Sequence, residues 1–375
     1  MKYYLIAGEA SGDLHGANLM RALGRCDAGA RFRFWGGDHM AAVAGPPAKH
    51  IRELAFMGFV EVLANLPTIL RNFKTAKKDI LAFEPDVLIL IDYPGFNLRM
   101  AKWAKQRGIR VFFYISPQLW AWKAGRIKTI EATVERLFVI LPFEENWYRE
   151  RNFKRVDFVG HPLLDVVDNR KRSPDFHERF QLDTRPIIAL LPGSRVQEIR
   201  SMLSVMLELT DQFREHQFVI AGAPAVDRSV YDPFLKKHPS ARLIDNRTYD
   251  LLQHATAALV TSGTATLETA LFGVPEVVCY RGSRVSVAIA RRLVNIEYIS
   301  LVNLIMDRPV VRELIQNDLS AANLAHELRL LLSPKRRLQL KIDYELLRDR
   351  LGGPGASQRT AELMTRYLTE APAGV

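Results

Sequence analysis

Short runs of β-branched and aromatic residues alternate along this chain with longer stretches of helical periodicity. The runs lie at 3–7, 31–35, 87–91, 111–115, 137–141, 156–159, 187–191, 218–221, 257–260 and 276–280. Such alternation is typical of parallel strands joined by helical crossovers. We therefore predict an α/β protein with two Rossmann-like, doubly wound lobes, whose two carboxyl edges could face each other across a cleft.

A charged segment at 166–185 separates the two halves of this pattern. It places an N-terminal lobe over 1–165 and a second lobe over 166–340. The remaining part, 341–375, is predicted to form basic amphipathic helices that break at Gly352-Gly353-Pro354-Gly355, because glycine and proline end helices. These helices could cap their own lobe, return to the first lobe or exchange with a second copy in a homodimer.

The composition limits the partners of the protein. Its 375 residues carry 52 lysines and arginines against 41 aspartates and glutamates, a formal charge of +11. This charge favours phosphorylated substrates or an anionic membrane surface. A nucleic-acid binder is disfavoured because the sequence has no RNP-type strand, zinc-ligand spacing or helix-turn-helix pattern. Cys26 and Cys279 are predicted to be free thiols, which fits a reducing cytoplasm, and no apolar stretch approaches the ~20 residues of a membrane span.

The sequence AGEASGDLHGA, at 7–17, follows the first apolar run and puts three glycines and three ionisable side chains into one strand-to-helix turn. Glycines such as Gly12 let the backbone approach a ligand, while Glu9, Asp13 and His15 can bind hydroxyl groups or move protons. The simpler interpretation is a tight turn with capping carboxylates. The spacing is not that of a dinucleotide fingerprint.

A second candidate lies at the end of the run 87–91, where Asp92 is followed by Tyr93 and Pro94. Asp92 is predicted to lie at the carboxyl edge of the sheet, next to the loop that contains Glu9, where it could act as a general base. An aspartate that only initiates the turn at Pro94 is the competing interpretation.

In the second lobe, the sequence LLPGSRVQEI at 190–199 follows a predicted strand and opens a helix. The backbone amides near Gly193, Ser194 and Arg195 should converge on an anion, and the Arg195 guanidinium suits phosphate oxygens. The alternative is that Ser194 caps the helix and Arg195 is solvated.

A similar turn follows at 261–275, TSGTATLETALFGVP. The amides of Ser262, Gly263 and Thr264 would meet a diphosphate, and Glu268 could accept both ribose hydroxyl groups. Two anion-binding helix starts in one lobe indicate a nucleoside diphosphate site.

Residues 55–83 combine apolar side chains at helical spacing with lysines and arginines on the opposite face. A helix of this kind usually packs its apolar stripe on a core. Phe59, Leu63 and Leu70 add apolar surface beside Lys74, so contact with a membrane surface is the competing interpretation.

Six motifs occur in the order found in one enzyme family. They are AGEASGDLHGA, MGFVEVL, WAWKAGRIKTI, GHPL, LLPGSRVQEI and SGTATLET, and they extend from Ala7 to about Pro275, with further similarity at 298–303. Together they resemble lipid-A-disaccharide synthase, a bacterial glycosyltransferase of the GT-B fold. The resemblance also places Ser11 in the active-site loop with Glu9, Gly12 and Asp13.

The reaction implied by this resemblance joins UDP-2,3-diacylglucosamine to 2,3-diacylglucosamine 1-phosphate, also called lipid X. It yields a β-1,6-linked disaccharide 1-phosphate and UDP, at the cytoplasmic face of the inner membrane, where the enzyme would attach peripherally. Because an α-linked donor gives a β-linked product, the displacement inverts the anomeric carbon. Asp92 would accept the proton of the acceptor 6-hydroxyl, and Arg195 would neutralise the leaving UDP.

The resemblance further implies that Asn303 contacts the uracil or ribose side of UDP, although Val302 stands where the family has proline. No DxD-like pair or His/Cys cluster is present, so neither a metal ion nor a cofactor is expected. Other GT-B enzymes, a polyprenyl-linked glycosyltransferase or a UDP-sugar epimerase, would use similar donor-lobe motifs and form the alternative.

Overall fold

The computed structural model describes residues 1–54, 66–121, 124–224, 226–282 and 297–370. The chain divides into two compact units. The first unit contains Met1–Asp165 and the chain from Leu351 onward, and the second contains Val166–Arg350. Among the helices in these described ranges, none combines the length and apolar character needed to cross a bilayer.

The first unit is built on a parallel sheet of seven described strands. They are β1 (Lys2–Ala7), β2 (Arg31–Gly36), β3 (Lys49–His50), β4 (Val87–Ile91), β5 (Val111–Tyr114), β6 (Arg136–Val139) and β7 (Val156–Phe158). Their order is β3-β2-β1-β4-β5-β6-β7. The order reverses between β1 and β4, and the crevice beyond the strand ends at such a switch point is where doubly wound sheets bind ligands. Glu9 and Asp92 follow these two strands.

Helices cover both faces of this sheet. They are α1 (Ala10–Cys26), α2 (Asp38–Ala44), α3 (Leu66–Phe83), α4 (Pro94–Gln106), α5 (Ile127–Thr133) and α6 (Glu144–Arg149), and the short helix α7 (Leu163–Asp168) follows at the end of the unit. Alternate residues of one strand belong to different apolar clusters: Tyr4 and Ile6 of β1 lie in one, Tyr3 and Leu5 in the other. Burial on both faces explains why the strands are continuous apolar runs in the sequence.

The second unit repeats this architecture with six described parallel strands. They are β8 (Ile187–Leu191), β9 (Gln217–Gly222), β10 (Arg242–Asp245), β11 (Ala255–Thr261), β12 (Glu276–Tyr280) and β13 (Arg312–Ile315), in the order β10-β9-β8-β11-β12-β13. The helices are α8 (Phe176–Arg179), α9 (Val196–Met206), α10 (Asp232–Lys237), α11 (Thr248–Leu252), α12 (Thr264–Leu271), α13 (Leu301–Met306), α14 (Ala321–Leu332) and α15 (Pro334–Arg350). The switch point lies between β8 and β11, which precede the two predicted phosphate loops.

The predicted boundary between the second lobe and the C-terminal helices, after residue 340, is wrong. It falls inside α15, which is continuous from Pro334 to Arg350 and belongs to the second unit. The helix ends where Gly352 and Gly353 adopt positive φ angles. The last helix, α16 (Ala356–Thr369), packs against α1 in the first unit, and the Arg359 guanidinium donates a 3.0 Å hydrogen bond to the Val159 carbonyl.

Candidate active-site residues in the two units

Asp92 lies in a strained turn at the carboxyl end of β4. Asp92 and Tyr93 both have left-handed backbone angles, with φ of 45° and 49°. Two consecutive non-glycine residues in this region cost free energy, and such strain concentrates at functional sites. The turn is held by hydrogen bonds from the Asp92 amide to the Tyr114 carbonyl, 3.0 Å, and from Asn97 Nδ2 to the Asp92 carbonyl, 2.7 Å. The backbone therefore fixes where the Asp92 carboxylate can lie.

The opening loop packs directly against this turn. A Cβ atom added to Gly8 would lie 2.3 Å from Cγ of the Tyr93 ring, so only glycine fits there. The Tyr93 ring also stacks on Phe96, with ring centroids 5.8 Å apart. This packing brings Glu9, an exposed residue, to the side of Asp92.

The environment of Asp92 suits a general base. Burial and, secondarily, the negative charge of Glu9 raise the pKa of Asp92 to about 7, against a smaller opposing effect of the Tyr93 amide. A base is most effective when its pKa lies near the working pH. Asp92 is therefore ionised and basic just above neutrality, whereas an ordinary exposed aspartate would be a weak base.

We expect the Glu9→Gln variant to move the acidic limb of the pH profile of kcat/KM to lower pH. Loss of the Glu9 charge lowers the pKa of Asp92, so Asp92 stays ionised in more acidic solution, while burial still keeps that pKa above its ordinary value. The profile is measured from initial transfer rates across the neutral range. Glu84→Gln, an exposed carboxylate beyond α3, is the matched control and should leave the limb in place. If the acidic limb does not move in the Glu9→Gln variant, the charge of Glu9 does not raise the pKa of the base.

Asp13 has a different environment from Glu9. Its buried carboxylate accepts hydrogen bonds from the amides of Gly37, His39 and Met40, at 2.7, 3.0 and 3.0 Å. It therefore caps the start of α2 and holds the first turn of α1 against it. This arrangement matches the capping interpretation, although the capped helix is not the one that the loop itself begins. Any direct contact of Asp13 with an acceptor stays a prediction.

The other polar residues and glycines of this segment lie in the first turns of α1, where they divide between surface and core. Ser11 is exposed, whereas Gly12 is buried, and a Cβ atom added there would lie 3.3 Å from that of Ala7. His15 is buried, and burial lowers its pKa to about 4, with Asp165 opposing the shift. The His15 ring is thus neutral at physiological pH and enclosed by the fold, which leaves Glu9 and Ser11 as the accessible polar side chains.

Glu144 is a candidate that the sequence analysis missed. It follows β6 at the same edge of the sheet and is buried. Its carboxylate accepts hydrogen bonds from the amides of Leu141 and Ile140, at 3.0 and 3.3 Å. Burial raises the pKa of Glu144 to about 8, and the charge of Asp92 contributes in the same direction. Its position was visible in the sequence, because Glu144 comes three residues after the predicted strand 137–141. Asp92 was predicted as a site residue from a similar position, directly after the strand 87–91.

In the second unit, the loop after β8 leads into α9, and binding of an external anion there stays a prediction. Gly193 has a φ of 107°, which favours glycine. The amides of Ser194 and Arg195 donate to the Glu198 carboxylate at 3.2 and 3.3 Å, and Arg195 Nη1 lies 3.3 Å from Glu198 Oε1. A carboxylate thus already occupies the position predicted for an external anion. The Arg195 side chain is 68% exposed and remains accessible to a ligand.

The loop after β11 provides the second predicted anion site. Gly263 is the N-cap residue of α12, and Thr264, the first residue of the helix, is exposed. Ser262 donates its hydroxyl group to the Ile299 carbonyl, 2.9 Å. Glu268 lies one turn into the helix, where the Tyr249 hydroxyl donates to it at 2.8 Å. Burial raises the pKa of Glu268, and this hydrogen bond partly opposes the shift.

The side chain of Asn303 is buried and hydrogen-bonded to other residues of the protein. It is 1% exposed, and Nδ2 donates to the Val311 carbonyl and to Glu313, both at 2.9 Å, while Oδ1 accepts from the Val311 amide at 2.9 Å. Glu313 in turn accepts from the amides of Ile299 and Ser300. Asn303 therefore positions the segment that receives the Ser262 hydroxyl group. For Asn303 to contact UDP as predicted, its side chain would have to break hydrogen bonds to Val311 or Glu313 and form new ones to the nucleotide.

The predicted membrane residues are only partly covered by the structure. Phe59 and Leu63 lie outside the described residues. On α3, Phe73 and Ile80 pack into the core, as the core-helix interpretation expects, while Leu70 is 53% exposed and Lys74 is exposed beside it. Within the described parts of the chain, no three His, Cys, Asp or Glu side chains are close enough to hold a metal ion.

Two doubly wound parallel sheets, each followed by polar loops at its switch point, are the two Rossmann-like lobes of the GT-B class of enzymes. The lipid-A-disaccharide synthetase family matches residues 3–366. The chain belongs to this family.

Individual relatives agree with this assignment. The lipid-A-disaccharide synthase of Syntrophus aciditrophicus is 43% identical over 95% of both chains, and that of Geobacter sulfurreducens is 39% identical over 97% of this chain and 96% of its own. The fold resembles that of a UDP-GlcNAc 2-epimerase from Neisseria meningitidis, with a TM-score of 0.70 over 98% of this chain and 100% of that one, at 14% identity. The predicted family, the two-lobed fold and the class, a glycosyltransferase of lipid A biosynthesis, are confirmed.

Proposed function

We propose that this chain is an inverting glycosyltransferase that condenses UDP-2,3-diacylglucosamine with 2,3-diacylglucosamine 1-phosphate. The observation that supports it most is Asp92, a half-buried carboxylate with a pKa of about 7 in a strained turn at the switch point of the first sheet. An inverting transfer needs one base for the acceptor hydroxyl group and a stabilised leaving group. Family membership supplies the substrate class, a UDP-sugar and a lipid acceptor.

Each unit has its own part in this proposal. Asp92 accepts the proton of the acceptor 6-hydroxyl as the oxygen attacks the anomeric carbon, and Glu9 keeps Asp92 basic. The bond from the anomeric carbon to the UDP oxygen breaks at the opposite side, and the electron pair leaves with UDP. Arg195 and the amides of Ser262, Gly263 and Thr264 stabilise the charge that grows on the diphosphate. Glu268 binds the ribose hydroxyl groups.

The decisive experiment is incubation of the protein with both diacylated substrates, followed by mass analysis. We expect a tetraacyl disaccharide 1-phosphate and one UDP per disaccharide. An acceptor that lacks only the 6-hydroxyl group is the matched control and should give neither product. Conversion of the donor without acceptor, to free UDP or to an epimeric UDP-sugar, would contradict the proposal and favour an epimerase.

We expect chelation by EDTA to leave the transfer rate unchanged. The leaving diphosphate is proposed to be held by Arg195 and helix amides, which need no divalent ion. Initial rates with EDTA, and after addition of excess Mg²⁺, measure this. Strong inhibition that Mg²⁺ reverses would contradict the proposed charge stabilisation and make Glu268 the first suspected ligand.

Both substrates are diacylated, so we also propose peripheral attachment to the cytoplasmic face of the inner membrane. Leu70 and Lys74 on α3, with Phe59 and Leu63 in the preceding segment, form the proposed contact of the first unit. A homodimer that exchanges its C-terminal segment is a separate prediction, which sedimentation velocity tests directly.

A further inference from the structure

The carboxylate of Glu268 is held at one oxygen and open at the other. Its oxygen Oε1 accepts a 2.8 Å hydrogen bond from the hydroxyl group of Tyr249, which lies 19 residues earlier in the chain. The oxygen Oε2 makes no hydrogen bond to the residues that the structure describes, and Glu268 is half-buried. An ionised carboxylate has about four acceptor positions, so the bond from Tyr249 leaves enough of them for the two hydroxyl groups of a ribose.

The ring of Tyr249 is held by two neighbouring side chains. Tyr249 lies on α11, and its ring contacts that of Phe272, the residue after α12, at a centroid distance of 5.3 Å. The Arg170 guanidinium lies 5.4 Å from the centroid of the Tyr249 ring. Arg170 is fixed in turn by an ion pair with Asp250, with 2.6 Å between Nη2 and Oδ1. Packing therefore places the phenol group independently of its hydrogen bond to Glu268.

Tyr249 is the donor in its hydrogen bond with Glu268. Burial and the charge of Glu268 raise the pKa of Tyr249, so the phenol keeps its proton at physiological pH. The same hydrogen bond lowers the pKa of Glu268, against the larger effect of burial. Tyr249 thus orients the carboxylate and favours its ionised form, which is the form that accepts hydrogen bonds at both oxygens.

We propose that Tyr249 is a positioning residue that makes the donor site selective for ribose over 2′-deoxyribose. The inference rests on the proposed function, in which Glu268 binds the ribose hydroxyl groups, and Tyr249 acts through Glu268. A flexible glutamate loses conformational freedom when it binds a ligand, and a carboxylate that is already held in place avoids most of this loss. A site whose acceptor is placed for a hydroxyl group rejects the analogue that lacks it, because the acceptor is then left without a partner.

The competing interpretation is that the hydrogen bond only attaches α11 to α12. The contact between the Tyr249 and Phe272 rings already joins these two elements, so the attachment does not depend on the hydroxyl group. A purely structural bond also needs no open oxygen on its acceptor, whereas Glu268 keeps Oε2 open one turn into the helix that follows the switch point. Both observations favour a positioning role.

The test is calorimetry of the full-length Tyr249→Phe variant with UDP, 2′-deoxy-UDP and inorganic diphosphate. Phenylalanine keeps the ring between Arg170 and Phe272, so the melting temperature should stay close to that of the parent. Loss of one hydrogen bond to the carboxylate should weaken UDP binding roughly three- to tenfold. Binding of 2′-deoxy-UDP and diphosphate should be nearly unchanged, so the preference for UDP over 2′-deoxy-UDP shrinks.

A control variant and a double variant complete the experiment. Tyr231→Phe removes another hydrogen-bonded hydroxyl group of the second unit, which accepts from the Ala223 amide at 3.0 Å, and it should keep the preference for UDP. Because Tyr249 acts through Glu268, the double variant Tyr249→Phe with Glu268→Gln should bind UDP no more weakly than Glu268→Gln alone.

The outcomes separate this inference from the proposed function. If Glu268→Gln loses the preference for UDP over 2′-deoxy-UDP while Tyr249→Phe keeps it, the inference is wrong and the ribose contact of Glu268 stands. Additive losses in the double variant, or equal weakening of all three ligands with a lower melting temperature, would also overturn the inference. If Glu268→Gln itself keeps the parent's preference, Glu268 does not bind the ribose, and that part of the proposed function fails together with the inference.

Discussion

The Asp92→Asn variant should transfer roughly 10²- to 10⁴-fold more slowly than the parent, the usual consequence of losing a general base. Its affinity for UDP should be nearly unchanged, because the loops proposed to bind UDP belong to the second unit. Initial rates by mass analysis and UDP binding by calorimetry measure the two effects. The asparagine keeps the size of the side chain and removes only the basic oxygen.

Unfolding should not explain this loss of activity. The raised pKa of Asp92 means that the folded state binds a proton more tightly than the unfolded chain does. The free energy of unfolding therefore decreases as the pH rises from the ordinary pKa of an aspartate to about 7. At pH 8 the Asp92→Asn variant should therefore melt at or above the temperature of the parent. If Asp92→Asn stays active while Glu9→Gln or Asp13→Asn loses comparable activity, the base lies in the opening loop instead.

Arg195→Ala should lower the affinity for UDP about tenfold to a hundredfold, since one charge-assisted contact contributes roughly 1.5–3 kcal/mol. The guanidinium is 68% exposed and only weakly held by Glu198, so it can turn to a diphosphate without breaking a buried network. Calorimetry with UDP and with inorganic diphosphate measures the loss. The matched control is Arg200→Ala, which removes an exposed arginine from α9, the helix that begins directly after Arg195.

Glu268→Gln separates recognition of the ribose from recognition of the diphosphate. If Glu268 binds the ribose, its substitution should weaken UDP binding more than diphosphate binding, whereas Arg195→Ala should weaken both. Parent-like UDP binding by both variants would place the donor site elsewhere in the protein.

The strands missing from the sequence prediction share one property. β3, β10 and β13 lie at sheet edges, and β10 and β13 mix charged residues with apolar ones, as in Arg242-Leu243-Ile244-Asp245. A strand covered on both faces must be apolar throughout, which makes it visible as a run, whereas an edge strand is partly solvated and loses that signal. Prediction therefore recovered the buried centre of each sheet and missed three of the four described edge strands; the fourth, β7, was predicted from the run 156–159.

Residue environments were harder to predict than residue positions. The sequence identified Asp13 and Asn303 as polar residues in important segments, but their hydrogen-bond partners lie 24 to 27 and 8 to 10 residues away. No local pattern reports which backbone amide will meet a side chain after folding. The same limit concealed Glu144, whose strand-end position was visible and whose burial near Asp92 was not.

By itself, the sequence determined the parallel α/β architecture, the two polar loops in each unit and the family, because apolar periodicity, glycine-rich turns and ordered motifs are local properties of the chain. Tertiary structure alone decided that Asp92 lies half-buried beside Glu9 with a pKa of about 7. It also decided that Asn303 is occupied within the fold and that α15 belongs to the second unit while α16 packs on the first. These outcomes depend on contacts between distant segments, which form only when the sheets and helices pack together.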